Sequence, residues 1–267
     1  MGDHTSSGFR RQHTQRHARP EPGGRGGPSG SGADREGLVR PLAAPVRPLR
    51  SGKPYYWSQG RSRWQWCRIY HRDAHNPQGD TARTFGPLAR SDPHTLDPDL
   101  PSVDPAGRSV LYVGDGLATN GCEVFGEAGE ALICPSWRVA LLEPVTRIRL
   151  LDLVRPGSAM AIGALPTLAD GALPRSLTQE WARAIYEDHP LGAPAAGIRY
   201  RSAHNGGIAL ALWDTAGRIR TLLDDNGTAA DVPLTHPGML IRLKTLLMER
   251  QIVIRTIDRG DCPRCTS

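Results

Sequence analysis

The segment at residues 107–125, GRSVLYVGDGLATNGCEVF, places the strongest constraint on how this chain can fold. Residues 109–113 are rich in β-branched and aromatic side chains, which predicts a short strand. Residues 114–116 end that strand, and Asp115 is a candidate N-cap for a following helix. Small and apolar residues then repeat with helical spacing on one face of that helix: Leu117, Gly121, Val124, Phe125 and Ala128.

Glu123 projects off this apolar stripe, and Tyr112 belongs to the strand that precedes the helix. A carboxylate in that position is ordinarily a solvated side chain beside a core tyrosine. The alternative is that the strand and the helix form one wall of a cleft, with the carboxylate beside the aromatic ring. The pattern alone leaves both interpretations open.

The excess positive charge of the chain is confined to its N-terminal part. Residues 1–53 hold ten Lys/Arg and four Asp/Glu, whereas the rest of the chain holds 23 of each. The N-terminal segment is rich in Gly, Pro, Ser and Arg, so it buries too little apolar surface to offset its ordering entropy. We therefore expect residues 1–53 to form a disordered basic tail, and we expect the folded part to bind no nucleic acid.

Residues 54–260 are numerous enough for one large domain, and residues 261–267 are expected to form a short C-terminal tail. No apolar run is long enough to span a bilayer, so we expect a cytoplasmic protein without a membrane partner. The odd count of five cysteines disfavours a disulfide framework. Cys262 and Cys265 are half of a zinc-binding pattern, but no second pair lies nearby in the sequence, so no bound metal is expected.

Residue patterning predicts the other main elements, with strands at 68–71 and 251–257 and helices at 176–189 and 239–250. Residues 80–105 are rich in Pro, Asp and Ser, which predicts a long loop that carries Arg83 and Arg90. Residues 197–214, GIRYRSAHNGGIALALWD, predict a hairpin with Ser202 beside its turn. The hydroxyl of Ser202 either satisfies that turn or faces a pocket, and no neighbouring base equips it as a nucleophile.

Two of these segments, in the same order, resemble the signatures of the RES-domain family. The first is Gly-Arg-x-Val-Leu-Tyr within residues 107–125, followed eleven residues after the tyrosine by Glu-Val-Phe. The second is Gly-x-x-Tyr-x-Ser within residues 197–214, followed by an aliphatic run that ends in an aromatic residue and Asp. The resemblance implies an α+β, ADP-ribosyltransferase-like fold, with small antiparallel or mixed sheets and surrounding helices around a central NAD cleft. Residues 54–260 would then be the catalytic domain.

The resemblance also implies which residues form the site. Glu123 would stabilise positive charge on the ribose, Tyr112 would position the nicotinamide riboside, and Arg68 would hold the diphosphate. The NAD-binding set implied by the family comprises Arg68, Tyr70, Arg83, Tyr112 and Ser202. The long loop leaves open which arginine is the second one of the family, so Arg90 stays an alternative to Arg83.

The implied function is an NAD-degrading enzyme that cleaves the nicotinamide–ribose bond, as the toxin of a toxin–antitoxin pair. Water as the acceptor would make it a glycohydrolase, and inorganic phosphate as co-substrate would make it a phosphorylase. No cofactor is implied beyond NAD as substrate, and the implied partner is a separate helix-turn-helix antitoxin of the Xre type. The alternatives are an ADP-ribosyltransferase that modifies a protein and a non-catalytic binding protein.

Overall fold

The computed structural model describes residues 41–60, 66–170 and 173–266. The disorder expected for residues 1–40 lies outside the described residues. The strands are β1 (Pro54–Trp57), β2 (Cys67–His71), β3 (Phe85–Gly86), β4 (Ser102–Val103), β5 (Val110–Gly114), β6 (Glu130–Ile133), β7 (Trp137–Pro144), β8 (Ile148–Asp152), β9 (Gly197–Arg201), β10 (Ile208–Trp213), β11 (Ile219–Thr221), β12 (Asp231–Pro233) and β13 (Val253–Thr256). The helices are α1 (Leu117–Phe125), α2 (Ser158–Ala161), α3 (Arg175–Asp188), α4 (Pro237–Met248) and α5 (Pro263–Thr266).

Most of the strands join one mixed sheet. Within the described residues this sheet has nine strands in the order β1-β8-β9-β10-β5-β2-β7-β11, with β12 also paired to β7. The β8–β9 pair is parallel, whereas the hairpin partners β9 and β10 run antiparallel, as do β10 and β5. Two small sheets accompany it, the antiparallel pair β3–β4 and the parallel pair β6–β13.

The main sheet opens between β2 and β5. These two strands are joined by a single pair of residues, Cys67 and Gly114, at the start of β2 and the end of β5. Beyond that point β2 continues along β7, and β5 continues along β10. The two halves of the sheet therefore diverge, and the gap between them is where a cleft can form.

Helices cover the sheet through separate apolar clusters. Trp181 and Ile185 of α3 are buried in a cluster that also contains Leu151 of β8 and Ala211 of β10. On α1 and α4, Phe125 and Leu247 belong to a second cluster. Gly121 permits the close contact of α1 with α4, because a Cβ atom there would lie 2.7 Å from Cδ2 of Leu247.

Both ends of the expected domain extend further than the sequence indicated. Residues 41–53 were expected to belong to the disordered tail, but Leu42 and Leu49 are buried and the indole of Trp181 donates a hydrogen bond to the carbonyl of Ala43 at 3.0 Å. The expected tail at 261–267 is also wrong for its described part, since Cys262 is 1% exposed and directly precedes α5. Apolar side chains in both segments contribute to the core, which is why they are ordered.

The α+β class expected from the sequence is confirmed, because helices and a mixed sheet share the core. The main sheet is larger than the small sheets that we expected. None of the helices in the described residues is long and apolar enough to cross a bilayer.

Candidate active site

A cleft of about 360 Å³ lies where β2 and β5 diverge. Its volume falls in the range of small-molecule sites, roughly 300–1,000 Å³. Five of the residues expected from the sequence line it together: Arg68, Tyr70, Arg83, Tyr112 and Glu123. The structure does not bring Ser202 into this set.

Helix α1 carries Glu123 to the rim of the cleft. The helix begins at Leu117, and its N-cap is Gly116, so the expected cap at Asp115 is wrong. The Asp115 carboxylate instead accepts hydrogen bonds from the Thr119 hydroxyl at 2.6 Å and from the Ile208 N–H at 3.0 Å. This carboxylate therefore fixes the first turn of α1 to β10, because it binds both elements at once.

Tyr200 on β9 faces the carboxylate of Glu123. Its hydroxyl donates to Oε2 of Glu123 at 3.5 Å, which is a long hydrogen bond. Glu123 itself is exposed, whereas Tyr200 is buried. Burial, reinforced by the charge of Glu123, raises the pKa of Tyr200 well above its ordinary value. The phenol therefore stays protonated at neutral pH and serves as the donor.

Small residues on β10 leave room beside the two tyrosines of the cleft. Tyr200 is paired with Ala209, and Tyr112 is paired with Ala211, so alanines separate the tyrosines across the sheet. Ala209 also lines the cleft. A larger side chain at Ala209 would occupy space beside the tyrosine rings, which is where a planar ring could lie.

The Tyr112 hydroxyl is held by a buried carboxylate. It donates to Oδ1 of Asp92 at 2.6 Å and accepts the Ser91 N–H at 3.2 Å. Burial, with a further contribution from Asp92, raises the pKa of Tyr112 well above its ordinary value. The ring of Tyr112 is therefore fixed from behind, and its hydroxyl has no free role as an acid or base.

Asp92 also holds Arg83. Nη2 of Arg83 lies 3.0 and 2.7 Å from the two carboxylate oxygens of Asp92, and Nη1 donates to the carbonyl of Phe85. The carboxylate is completely buried and accepts two further backbone N–H groups, from Leu88 and Ala89. The long loop is thereby anchored, and Arg83 is oriented at the edge of β5.

Arg68, on β2, is a second cation that lines the cleft. Its guanidinium donates to the carbonyls of Gly79 at 3.0 Å and Thr81 at 2.6 Å, and to Oδ1 of Asn76 at 3.0 Å. Within the part of the chain that the structure describes, no carboxylate forms an ion pair with it. Burial lowers the pKa of Arg68 to about 10, and the neighbouring Arg83 acts in the same direction. A desolvated cation beside a second one is a suitable site for an anion.

The hydroxyl of Tyr70 forms hydrogen bonds with residues outside the cleft. It donates to Oδ2 of Asp231 on β12 at 2.6 Å and accepts Nη2 of Arg72 at 3.3 Å. Only the ring of Tyr70 is therefore available to the cleft, where the guanidinium of Arg68 lies 5.5 Å from its centroid.

The other two expected positions lie elsewhere. Arg90 lines a separate cavity of about 20 Å³, which shares Tyr200 with the cleft, so of the two arginines it is Arg83 that lines the cleft itself. The Ser202 hydroxyl accepts the His204 N–H at 3.3 Å within the hairpin turn, and Ser202 is 2% exposed. Its side chain satisfies its own turn, which is the first of the two interpretations left open by the sequence.

Two residues of the site were missed at the sequence level. Tyr200 lies within the second signature, but nothing in the spacing pairs it with Glu123, 77 positions earlier in the chain. Asp92 lies in a loop of ordinary turn composition, and no local pattern distinguishes it from Asp97 and Asp99, which are exposed in the same loop. Tyr200 acquires its role through a contact across 77 positions, and Asp92 acquires its role because its loop folds onto Tyr112 of β5.

The site combines two kinds of chemistry within one cleft. Arg68 offers positive charge to an anionic ligand, Arg83 lines the same cleft while paired with Asp92, and Glu123 offers a carboxylate. A carboxylate stabilises cationic character that develops in a transition state, provided that it is fixed beside the reacting atom. The arrangement therefore suits an anionic substrate in which positive charge develops away from its anionic group.

A family model for the RES domain matches residues 65–234. Among solved structures, the crystal structure of the M. tuberculosis MbcT-MbcA toxin-antitoxin complex is similar at 22% sequence identity and a TM-score of 0.44, over 68% of this chain and 88% of that chain. No curated protein has a matching sequence. Because the family model covers well over half of its length, this chain belongs to the RES-domain family.

Proposed function

We propose that this protein degrades NAD by cleaving the bond between nicotinamide and ribose. Membership of the RES-domain family supports the proposal, because the family signatures are the segments that carry Tyr112 and Glu123. The observation that carries it is the cleft itself, which is lined both by Arg68 of β2 and by Glu123 of α1. NAD has the matching charge distribution, since its diphosphate is anionic and its nicotinamide-bearing ribose becomes cationic as the bond breaks.

The reaction proceeds through an oxocarbenium-like state, as in glycoside cleavage. The bonding electron pair leaves with the ring nitrogen, so nicotinamide departs as a neutral molecule and positive charge moves onto the ribose. Glu123 stabilises that charge, and Tyr200 keeps the carboxylate oriented through its hydroxyl. The acceptor then adds to the anomeric carbon. Water loses a proton and gives ADP-ribose, and inorganic phosphate gives ADP-ribose phosphate.

The remaining residues bind and orient the substrate. The ring of Tyr112, held by Asp92, packs beside the nicotinamide riboside. Arg68 donates hydrogen bonds to the diphosphate, and Arg83, whose charge is balanced by Asp92, lines the cleft with it. Ser202 has no role in this proposal, because its hydroxyl is engaged in the hairpin turn.

The experiment is an assay of the full-length protein with NAD labelled in its adenylate part, with and without phosphate. The proposal predicts free nicotinamide in equimolar amount with labelled ADP-ribose or its phosphate, and acceleration by phosphate identifies a phosphorylase. Glu127→Gln is the matched control for a change at Glu123, because Glu127 is an exposed side chain just beyond the end of α1. Intact NAD after prolonged incubation, or label that ends on protein, would contradict the proposal.

The biological role that we propose is that of a toxin, which exhausts the NAD of the cytoplasm and is held inactive by a separate helix-turn-helix antitoxin that covers the cleft. Induced expression of the wild type should then stop growth and lower cellular NAD, whereas Glu123→Gln should do neither. Restored growth on co-expression of a candidate helix-turn-helix antitoxin would support the partner. The family also leads us to propose an ADP-ribosyltransferase-like fold, for which the divergence of β2 from β5 around the cleft is the supporting feature.

A further inference from the structure

Four potential metal ligands meet at the far end of β2, outside the set proposed for NAD. They are Nε2 of His71 and the Sγ atoms of Cys134, Cys262 and Cys265, and we call them the Cys3His cluster. One ligand atom from each of these residues lies within 4.8 Å of the other three. All three thiols are free.

Four of the six distances among these atoms are close to the edges of a tetrahedron around a zinc ion, and the other two are within 4.8 Å. Zinc bonds of about 2.3 Å to sulfur and about 2.0 Å to nitrogen require edges of roughly 3.8 Å between two sulfurs and roughly 3.5 Å between sulfur and nitrogen. The sulfurs of Cys134 and Cys265 are 3.7 Å apart. Nε2 of His71 lies 3.5 Å from the Cys134 sulfur, 3.9 Å from that of Cys262 and 3.3 Å from that of Cys265.

Three separate parts of the fold are required to assemble the cluster. His71 ends β2, and Cys134 directly follows β6. The parallel pairing of β13 with β6 runs the C-terminal segment alongside Cys134, and the Ile257 N–H donates to the Ile133 carbonyl at 3.0 Å. The turn that follows places Cys262 and Cys265 together, since the Cys265 N–H donates to the Cys262 carbonyl at 2.9 Å.

The burial of the cluster indicates a closed structural site. Cys134, Cys262 and His71 are 0%, 1% and 4% exposed, and Cys265 is partly exposed at the edge of the cluster. A catalytic zinc keeps one position open to water or substrate, whereas four protein ligands close the coordination shell. A disulfide explains the clustering of these four side chains less well than a metal does. It joins only two sulfurs, at about 2.05 Å, and leaves the remaining thiol and the imidazole without a role.

The surroundings fit the charge and the tautomer that zinc would require. Three thiolates and Zn²⁺ together carry one net negative charge, and two arginines lie nearby. Nε of Arg259 donates to Oγ of Ser136 at 3.0 Å, and that Oγ lies 3.7 Å from the Cys265 sulfur. The guanidinium carbon of Arg264 lies 5.1 Å from the centroid of the Trp137 ring. Oδ2 of Asp73 lies 3.6 Å from Nδ1 of His71, so a carboxylate stands on the side of the ring opposite the thiols. A carboxylate that accepts the Nδ1–H of a histidine ligand orients its ring, and here the carboxylate stands on that side but just beyond hydrogen-bond distance.

The geometry points to a structural Zn²⁺ bound by His71, Cys134, Cys262 and Cys265, which joins the C-terminal segment to β2. Thiolate and imidazole ligands in a tetrahedral arrangement select zinc among the common divalent ions. We expected no metal because no second pair of ligands lies near Cys262 and Cys265 in the sequence. The fold supplies that pair from Cys134 and His71, which precede Cys262 by 128 and 191 positions. The site is independent of the proposed NAD chemistry, although His71 also borders the cleft.

The test is elemental analysis of the full-length protein, expressed with zinc in the medium and purified without chelators. The proposal predicts about one zinc per chain, as for other four-ligand structural sites. The double variant Cys262→Ser/Cys265→Ser should lose the metal. Cys122→Ala is the matched control, because Cys122 is also a buried free thiol but lies on α1, and it should retain the zinc.

A second measurement uses only the wild-type chain, so it does not depend on the folding of a variant. Cobalt(II) exchanged into the protein should give the visible bands of a tetrahedral ion and a thiolate-to-cobalt charge-transfer band, and a strong chelator should abolish both and lower the melting temperature. The proposal is overturned if the folded wild-type protein contains no stoichiometric metal or if the double variant retains zinc. An octahedral cobalt spectrum would also overturn it, as would a native Cys134–Cys265 disulfide found by non-reducing peptide mass spectrometry.

Discussion

The hydroxyl of Tyr200 lies 3.5 Å from Oε2 of Glu123, so a buried phenol on β9 meets an exposed carboxylate on α1 across the rim of the cleft. This contact joins the two segments that carry the family signatures. It also gives the proposed charge-stabilising carboxylate a fixed donor.

Tyr200→Phe removes that donor without changing the volume of the side chain. We expect kcat for NAD cleavage to fall about tenfold, because a hydrogen bond to a charged group contributes about 1.5–3 kcal/mol and this one is long. The KM for NAD should change little. The control is Tyr186→Phe, which removes a hydroxyl bonded to Asp214 at 2.5 Å, outside the cleft. A KM effect without a kcat effect would contradict the orienting role of Tyr200.

Arg68→Gln removes a cleft cation for which the described residues provide no carboxylate partner. The KM for NAD should rise about 30-fold, corresponding to roughly 2 kcal/mol for hydrogen bonds to a charged group. Nicotinamide riboside carries no phosphate, so its weaker cleavage should be unaffected by the same substitution. Arg220→Gln serves as the control, because Arg220 pairs with Glu143 at the surface, away from the cleft. An equal loss with both substrates would show that Arg68 acts on something other than the diphosphate.

Asp92→Asn tests the buried anchor behind Tyr112 and Arg83. The change leaves Arg83 without its counter-charge and weakens several hydrogen bonds, so the free energy of unfolding should fall by about 3 kcal/mol. Tyr112→Phe removes the bond to Asp92 and the one accepted from the Ser91 N–H, and should cost about 2 kcal/mol at about 1 kcal/mol for each bond. Urea denaturation checks both values, with the exposed Asp99 changed to Asn as the control in the same loop. Equal stabilities for Asp92→Asn and wild type would contradict the anchoring role.

Arg47→Ala tests whether residues 41–53 belong to the folded unit. Arg47 bonds to Glu187 and Asp188 at the end of α3, and its hydrogen bond holds the pKa of Asp188 below its ordinary value. A lowered pKa in the folded state stabilises the protein above the unfolded pKa of about 3.9, and this contribution disappears as the pH falls through the lower value.

We therefore expect Arg47→Ala to lower the free energy of unfolding by about 1 kcal/mol at pH 7, as for a partly exposed ion pair. The difference from wild type should shrink as the pH falls below about 4. Arg50→Ala, at an exposed arginine of the same segment, should have no such pH dependence. Denaturation series at several pH values measure the effect, and a difference that persists unchanged at low pH would contradict this origin.

Local patterns predicted the elements, whereas long-range pairing determined the site. The strand and helix around Tyr112 and Glu123 follow from residue type and spacing over a few turns. The divergence of β2 from β5 depends on one pair, Cys67 and Gly114, 47 positions apart, and no local pattern encodes it. The partners Tyr200 and Asp92 became visible only when distant segments were brought together.

The Cys3His cluster illustrates the same limit. The spacing of Cys262 and Cys265 was recognisable as half of a metal site, but His71 and Cys134 carry no spacing that joins them to it. The parallel pairing of β13 with β6 provides the connection, and such pairing is set by the whole fold. The misplaced domain boundaries have a related cause, because a few buried apolar side chains suffice to order a segment of polar composition.

The most direct test of the account compares NAD binding and NAD cleavage in Glu123→Gln. The substitution keeps the size of the side chain and removes its charge, so the variant should bind NAD with a dissociation constant within about threefold of the wild type, while kcat falls by a factor of about 10² to 10³. Nicotinamide release under saturating NAD, together with calorimetric binding, measures both quantities. Cleavage at the wild-type rate by the folded variant would contradict the central claim that this carboxylate stabilises the departing sugar's charge.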